Sequence, residues 1–269
     1  IGGYIRPNYH TCRRGRASIL RGFVTLSRRE LEGYFLSIRG YVIIAGVQFL
    51  LGASLLVGLD YYNKKATHLP VTEMLPNSQY FWLILLLMAP VITMRTFAHE
   101  KSTGTYETLL TTPVSDWSVV MAKFTGALVF FLLTWAPAII WPLVLARYVA
   151  NIEPVEQGAL AGLTFGITLL GGFFMAMGCF ASAITRSQII AAMTSFAVGA
   201  GVLLLGLLPK YQSMEPGWLM DLLQHISMFD HMGDFASGTV DTRHLVFYLS
   251  LTVVFLFLTE RVMASRRWR

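Results

Sequence analysis

Residues 95–123, reading RTFAHEKSTGTYETLLTTPVSDWSVVMAK, contain groups able to act on a partner. Glu100 and Glu107 stand seven residues apart, close to two helical turns, so a helix would present both on one face. Gly104 lies between them without a side chain, which leaves room for the backbone of another protein. Leu109 and Leu110 close the run before Pro113, which cannot continue a helix. Two carboxylates on such a face accept charge-assisted hydrogen bonds from Arg, Lys or backbone N–H groups. A solvated loop with no partner carries charges of the same kind.

Other constellations are weaker. The only Lys followed by Ser or Thr is Lys101, and Glu100 precedes it, so the Gly-Lys-Ser/Thr run that cradles phosphate is missing. His225, Asp230, His231 and Asp234 are metal-ligating residue types, but no His pair has i, i+4 spacing and Asp commonly caps short helices; no metal is expected. Ser54 in an apolar run, with His244 elsewhere, suggests an intramembrane serine protease, yet a Ser in such a run more often serves packing. An ion-coupled secondary transporter needs relay groups, and the five long apolar windows 40–59, 74–94, 124–146, 157–185 and 187–209 hold no Asp, Glu, Lys or Arg. No catalytic residue is assigned.

The elements that carry these groups follow from composition. Of 269 residues 55% are hydrophobic and only 13% charged, about half the charged share of an ordinary soluble domain. A soluble enzyme, a disordered chain and a nucleic-acid-binding domain are not expected on that ground, despite the net charge of +6. Cys12 and Cys179 cannot form a disulfide framework. Six windows are long and apolar enough to cross a bilayer, about 40–59, 76–96, 124–146, 160–185, 187–208 and 244–263. The expected fold is therefore an all-α polytopic membrane protein of six spans, occupying residues 40–263, with basic tails at 1–39 and 264–269. No cleaved signal peptide is expected, because the first apolar run starts about 40 residues in.

With the amino terminus taken as cytoplasmic, sixteen of the twenty-one Lys and Arg residues fall on the cytoplasmic side and nine of the fifteen acids on the other. Both termini are then cytoplasmic. Leu20, Val24, Leu31, Tyr34, Phe35 and Ile38 recur at helical spacing opposite Arg28, Arg29, Glu30 and Glu32, which reads as an amphipathic helix lying at the membrane surface. In the 210–243 segment, Trp218, Leu219, Leu222, Leu223 and Ile226 form an apolar stripe suited to short helices in the outer leaflet. Gly158, Gly162 and Gly166 repeat every four residues and predict close contact with another helix.

At this point the chain resembles the permease subunits of ABC-2-type ATP-binding cassette exporters, among them the gliding-motility-type permeases. Arg95, Glu100, Gly104, Thr105, Glu107, Leu109, Leu110, Pro113, Val114, Ser115 and Lys123 stand where that family has an Arg, a Glu, Gly-Thr, a Glu, paired Leu, Pro-Val-Ser and a Lys leading into the third span. Phe235, Gly238, Val240, Asp241, Arg243, Tyr248, Leu249 and Ser250 look like its approach to the sixth, and RRELEGYFLS resembles its elbow helix. Tyr106 replaces a smaller aliphatic residue, and the first sixteen residues lie outside the pattern.

The resemblance implies a non-catalytic permease of a bacterial inner (cytoplasmic) membrane, either an exporter or a mechanotransmitter. It implies a cytoplasmic coupling helix from Glu100 to Leu110 seated in a separate ATPase subunit. Two such ATPases, which would bind ATP and Mg, a second permease chain (identical or related), the lipid bilayer and an auxiliary extracytoplasmic protein are the implied partners; nucleic acid is not.

Overall fold

The computed structural model describes residues 10–64, 71–104, 115–148, 156–211 and 217–267. Among these the secondary structure is helical: α1 His10–Phe35, α2 Ile38–Lys64, α3 Val71–Asn77, α4 Gln79–Thr93, α5 Ala98–Thr103, α6 Asp116–Tyr148, α7 Gln157–Ile184, α8 Gln188–Tyr211, α9 Trp218–Ile226, α10 Met228–Ala236 and α11 Thr242–Arg267. Among the described residues six stretches are long and apolar enough to cross a membrane; they lie in α2, α4 continued through α5, α6, α7, α8 and α11. A helix satisfies its own backbone polar groups, which is why hydrocarbon tolerates this architecture.

The bundle is built around α7. Its most apolar window is 83% buried inside the protein, against 17% for α2 and α11. Small residues allow this. An added Cβ at Gly162 would strike the carbonyl of Phe235, at Gly171 the ring of Phe131 and at Gly178 the side chain of Thr93. At Gly166 it would stand 2.8 Å from the Phe235 ring. Gly158 differs, since only its neighbour Glu156 comes within 4 Å of such a Cβ. The partner of the glycine row is thus α10 rather than another long span. α10 ends in a Schellman turn, with Gly238 at φ 86°, its N–H on Phe235 O (3.2 Å) and the Thr239 N–H on Asp234 O (3.0 Å).

α3, α9 and α10 close the end of the bundle that bears most of the described acids. Thr72 Oγ1 donates to Ala236 O at 2.8 Å and Trp82 Nε1 to Pro76 O at 2.8 Å. His231, buried on α10, stacks on His244 at 3.9 Å between ring centroids, and His244 Nε2 reaches Asp234 Oδ2 at 2.9 Å. Burial, reinforced by His244, pushes His231 down to about 4, so it packs as a neutral ring.

At the opposite end α1 crosses α6. Tyr34 stacks on Phe130 (4.8 Å) and Phe35 meets the same ring edge-on (5.4 Å). The stripe read as facing the membrane surface is therefore divided: Leu31, Tyr34 and Phe35 pack on the protein's own core, while Val24 and Ile38 stay exposed. Gly126 permits the crossing, because a Cβ there would lie 2.9 Å from Glu30 Cβ.

Candidate functional site

α5 is a single short helix joined to the end of α4, and it lacks a capping side chain of its own. The missing cap comes from α7. Ser182 Oγ accepts the N–H groups of Phe97 and Ala98, each at 3.1 Å, and donates to Met94 O at 3.2 Å. The donors orphaned at a helix start are thereby satisfied by a different helix. Lys101 Nζ donates to Ala183 O one residue further along α7. Arg95 donates to His99 Nε2 at 3.3 Å, while His99 Nδ1 meets the side-chain amide of Gln188 on α8 at 3.1 Å.

Glu100 connects α5 to two more elements. Its Oε1 lies 2.7 Å from Lys123 Nζ on α6, and the same ammonium lies 2.8 Å from Glu30 Oε1 on α1. Lys123 is only 4% exposed and stands 5.5 Å from the centroid of the Phe97 ring. Burial of one cation is tolerated because two carboxylates surround it. Nearby, Tyr34 donates its hydroxyl to Ile92 O at 3.1 Å, which pins α1 to the end of α4. Burial, with Glu30 second, raises the Tyr34 phenol above its ordinary range, so it stays a donor.

Of the residues assigned to the coupling segment from the sequence, Arg95, Glu100 and Gly104 are described. Thr105, Glu107, Leu109, Leu110 and Pro113 lie outside the described residues. The carboxylate of Glu100 is turned toward Lys123 on α6, 2.7 Å away. Gly104 has φ 76°, the left-handed conformation that ends α5, and a Cβ there would meet nothing within 4 Å. Backbone conformation, rather than side-chain space, therefore explains the glycine.

Glu30 and Ser182 were not picked out as site residues in the sequence. Glu30 read as one of several charges on an amphipathic helix, and Ser182 as one small residue in a long apolar window. Lys123 was legible in the sequence as the motif lysine leading into a span starting at 124, whereas α6 begins at Asp116 and places it inside the helix.

The arrangement joins one short helix to α1, α6, α7 and α8.

Residues 49–268 match the model of a family described as ABC-2 family transporter protein. The match includes Glu100, Lys123 and Ser182 and leaves Glu30 outside. No curated protein matches the chain.

Proposed function

The chain belongs to the ABC-2 family of transporter proteins, and on that premise we propose that it is the permease subunit of an ATP-binding cassette transporter, with residues 95–123 receiving the stroke of a separate ATPase. It is a multi-pass membrane protein. The observation that carries the proposal is the Glu30–Lys123–Glu100 triad, supported by the Ser182 cap. A push on α5 cannot dissipate in a loose loop, because its first turn is bonded to α7 and its carboxylate to Lys123 on α6, which in turn holds Glu30 on α1.

In this reading ATP and Mg belong to the partner, since this chain has no phosphate-cradling run. Two ATPase chains dock on two permeases, identical or related, and the sixteen-to-five distribution of basic residues puts both termini and residues 95–123 in the cytoplasm. The bacterial inner membrane is the matching location. The motif around Gly104 and Pro113 favours the gliding-motility-type branch, in which an auxiliary extracytoplasmic protein would take up the motion. Glu107, Leu109 and Leu110 are the docking residues of this proposal, Thr105 and Pro113 shape the segment, and Glu100 fastens it.

The test is co-purification from cells expressing this chain with its ATPase. Glu107→Lys should lose the ATPase while the permease remains folded and membrane-inserted, and Ser102→Ala should behave as wild type. Retention of the ATPase by Glu107→Lys at wild-type levels would remove the docking assignment.

A further inference from the structure

A cavity of about 520 Å³ opens between α1, the first turns of α2, the end of α4 and α6. That volume is typical of small-ligand sites. Its polar wall carries Arg29, Arg39, Arg95 and Lys123 against only Glu30 and Glu100. Both carboxylates hold Lys123, and among the described residues neither Arg29 nor Arg39 pairs with an acid. Arg95 is bonded to His99 through one terminal nitrogen, while its Nε is buried without a hydrogen-bond partner. The charged residues lining the cavity thus leave it a net charge of +2, with none of the three Arg residues in an ion pair among the described residues. The other wall is apolar. Ile38, Val42 and Val91 line the cavity and are also 83%, 65% and 38% exposed on the outside of the bundle.

The geometry points to a binding site for the phosphate-bearing headgroup of an anionic lipid. Guanidinium groups match phosphate oxygens in a planar, two-pronged geometry that an ammonium lacks. Arg39 lies in the first turn of a span and Arg95 just beyond the end of α4, so both stand at the depth where headgroups meet hydrocarbon. The apolar wall continues from the cavity onto the surface of α2 and α4, giving acyl chains a path that a free phosphate ion would not use. A lipid held there bridges α1, α2 and α4 beside the Lys123 triad without replacing any of its bonds.

The probe is short-chain phosphatidylglycerol added to the purified full-length chain in detergent, with phosphatidylcholine and inorganic phosphate as separate arms. Binding is read by native mass spectrometry and by the shift in melting temperature. Phosphatidylglycerol should bind saturably and raise the melting temperature, and the other two arms should do neither. Arg39→Gln and Arg95→Gln should each weaken binding by roughly tenfold, Arg39→Lys should weaken it less, and Arg243→Gln at the opposite end should leave it unchanged. Arg39 is exposed, so its variants keep the test valid if Arg95→Gln fails to fold. Equal binding of phosphatidylcholine, an equal shift from inorganic phosphate alone, or unchanged affinity in Arg39→Gln would each overturn the assignment.

Discussion

Replacing Lys123 by Met keeps an unbranched, apolar side chain and removes the charge that joins α1, α5 and α6. In the wild type the ammonium lies 2.8 Å from Glu30 Oε1 and 2.7 Å from Glu100 Oε1. The two oxygens are therefore no farther apart than about 5.5 Å, where two bare charges repel by about 3 kcal/mol at an effective dielectric constant near 20. Two charge-assisted hydrogen bonds, each worth about 1.5–3 kcal/mol, disappear as well. The carboxylates are 25% and 23% exposed, so water recovers part of both losses, and the Lys no longer has to be desolvated. A net destabilisation of about 3–5 kcal/mol follows, the usual cost of removing one partner from a buried pair. For a chain of this size that lowers the melting temperature by on the order of 10 °C, measurable by circular dichroism in detergent. Adding Glu30→Gln and Glu100→Gln to Lys123→Met should restore most of the stability, because no uncompensated charge remains. On the proposed coupling role, ATPase stimulation should be lost in Lys123→Met and stay lost in that triple variant. A melting temperature within 1 °C of wild type for Lys123→Met, or full ATPase stimulation in the triple variant, would refute the reasoning.

Three further outcomes are expected. A thiol probe added from outside should label single cysteines at Asn63 or Ser213 and miss one at Ser102; labelling at Ser102 would reverse the orientation. His231 is held near 4 in the folded chain but titrates near 6.5 when unfolded, so the unfolded state binds more protons between those values. Stability should therefore be complete above pH 6.5 and fall as the pH approaches 4, by at most about 3 kcal/mol, with the slope flattened in His231→Phe; a flat wild-type melting profile would contradict this. Along α7, Gly158→Ala should be nearly silent, whereas Gly162→Ala and Gly166→Ala should each cost about 1–3 kcal/mol in thermal unfolding, since Phe235 is fully buried and has no room to yield; equal effects at all three positions would argue against the α10 contact.

Hydropathy alone determined the six spans, because a helix in hydrocarbon needs an apolar surface over about 20 consecutive residues, a property each segment carries by itself. The periodicity of Leu31, Tyr34 and Phe35 likewise revealed α1, and the motif from Arg95 to Pro113 pointed to the family that the match over residues 49–268 bears out. Which faces meet was not legible. Lys123 and Glu30 are 93 residues apart, and Ser182 lies 85 residues from Phe97; nothing local to any of them records the other. The glycine row announced a close neighbour without saying whether it was a span or the short α10, since a missing side chain makes room for either. Tertiary structure alone decided that Glu100 turns inward, because a lysine buried in α6 needs its charge compensated wherever helix packing brings a carboxylate within reach.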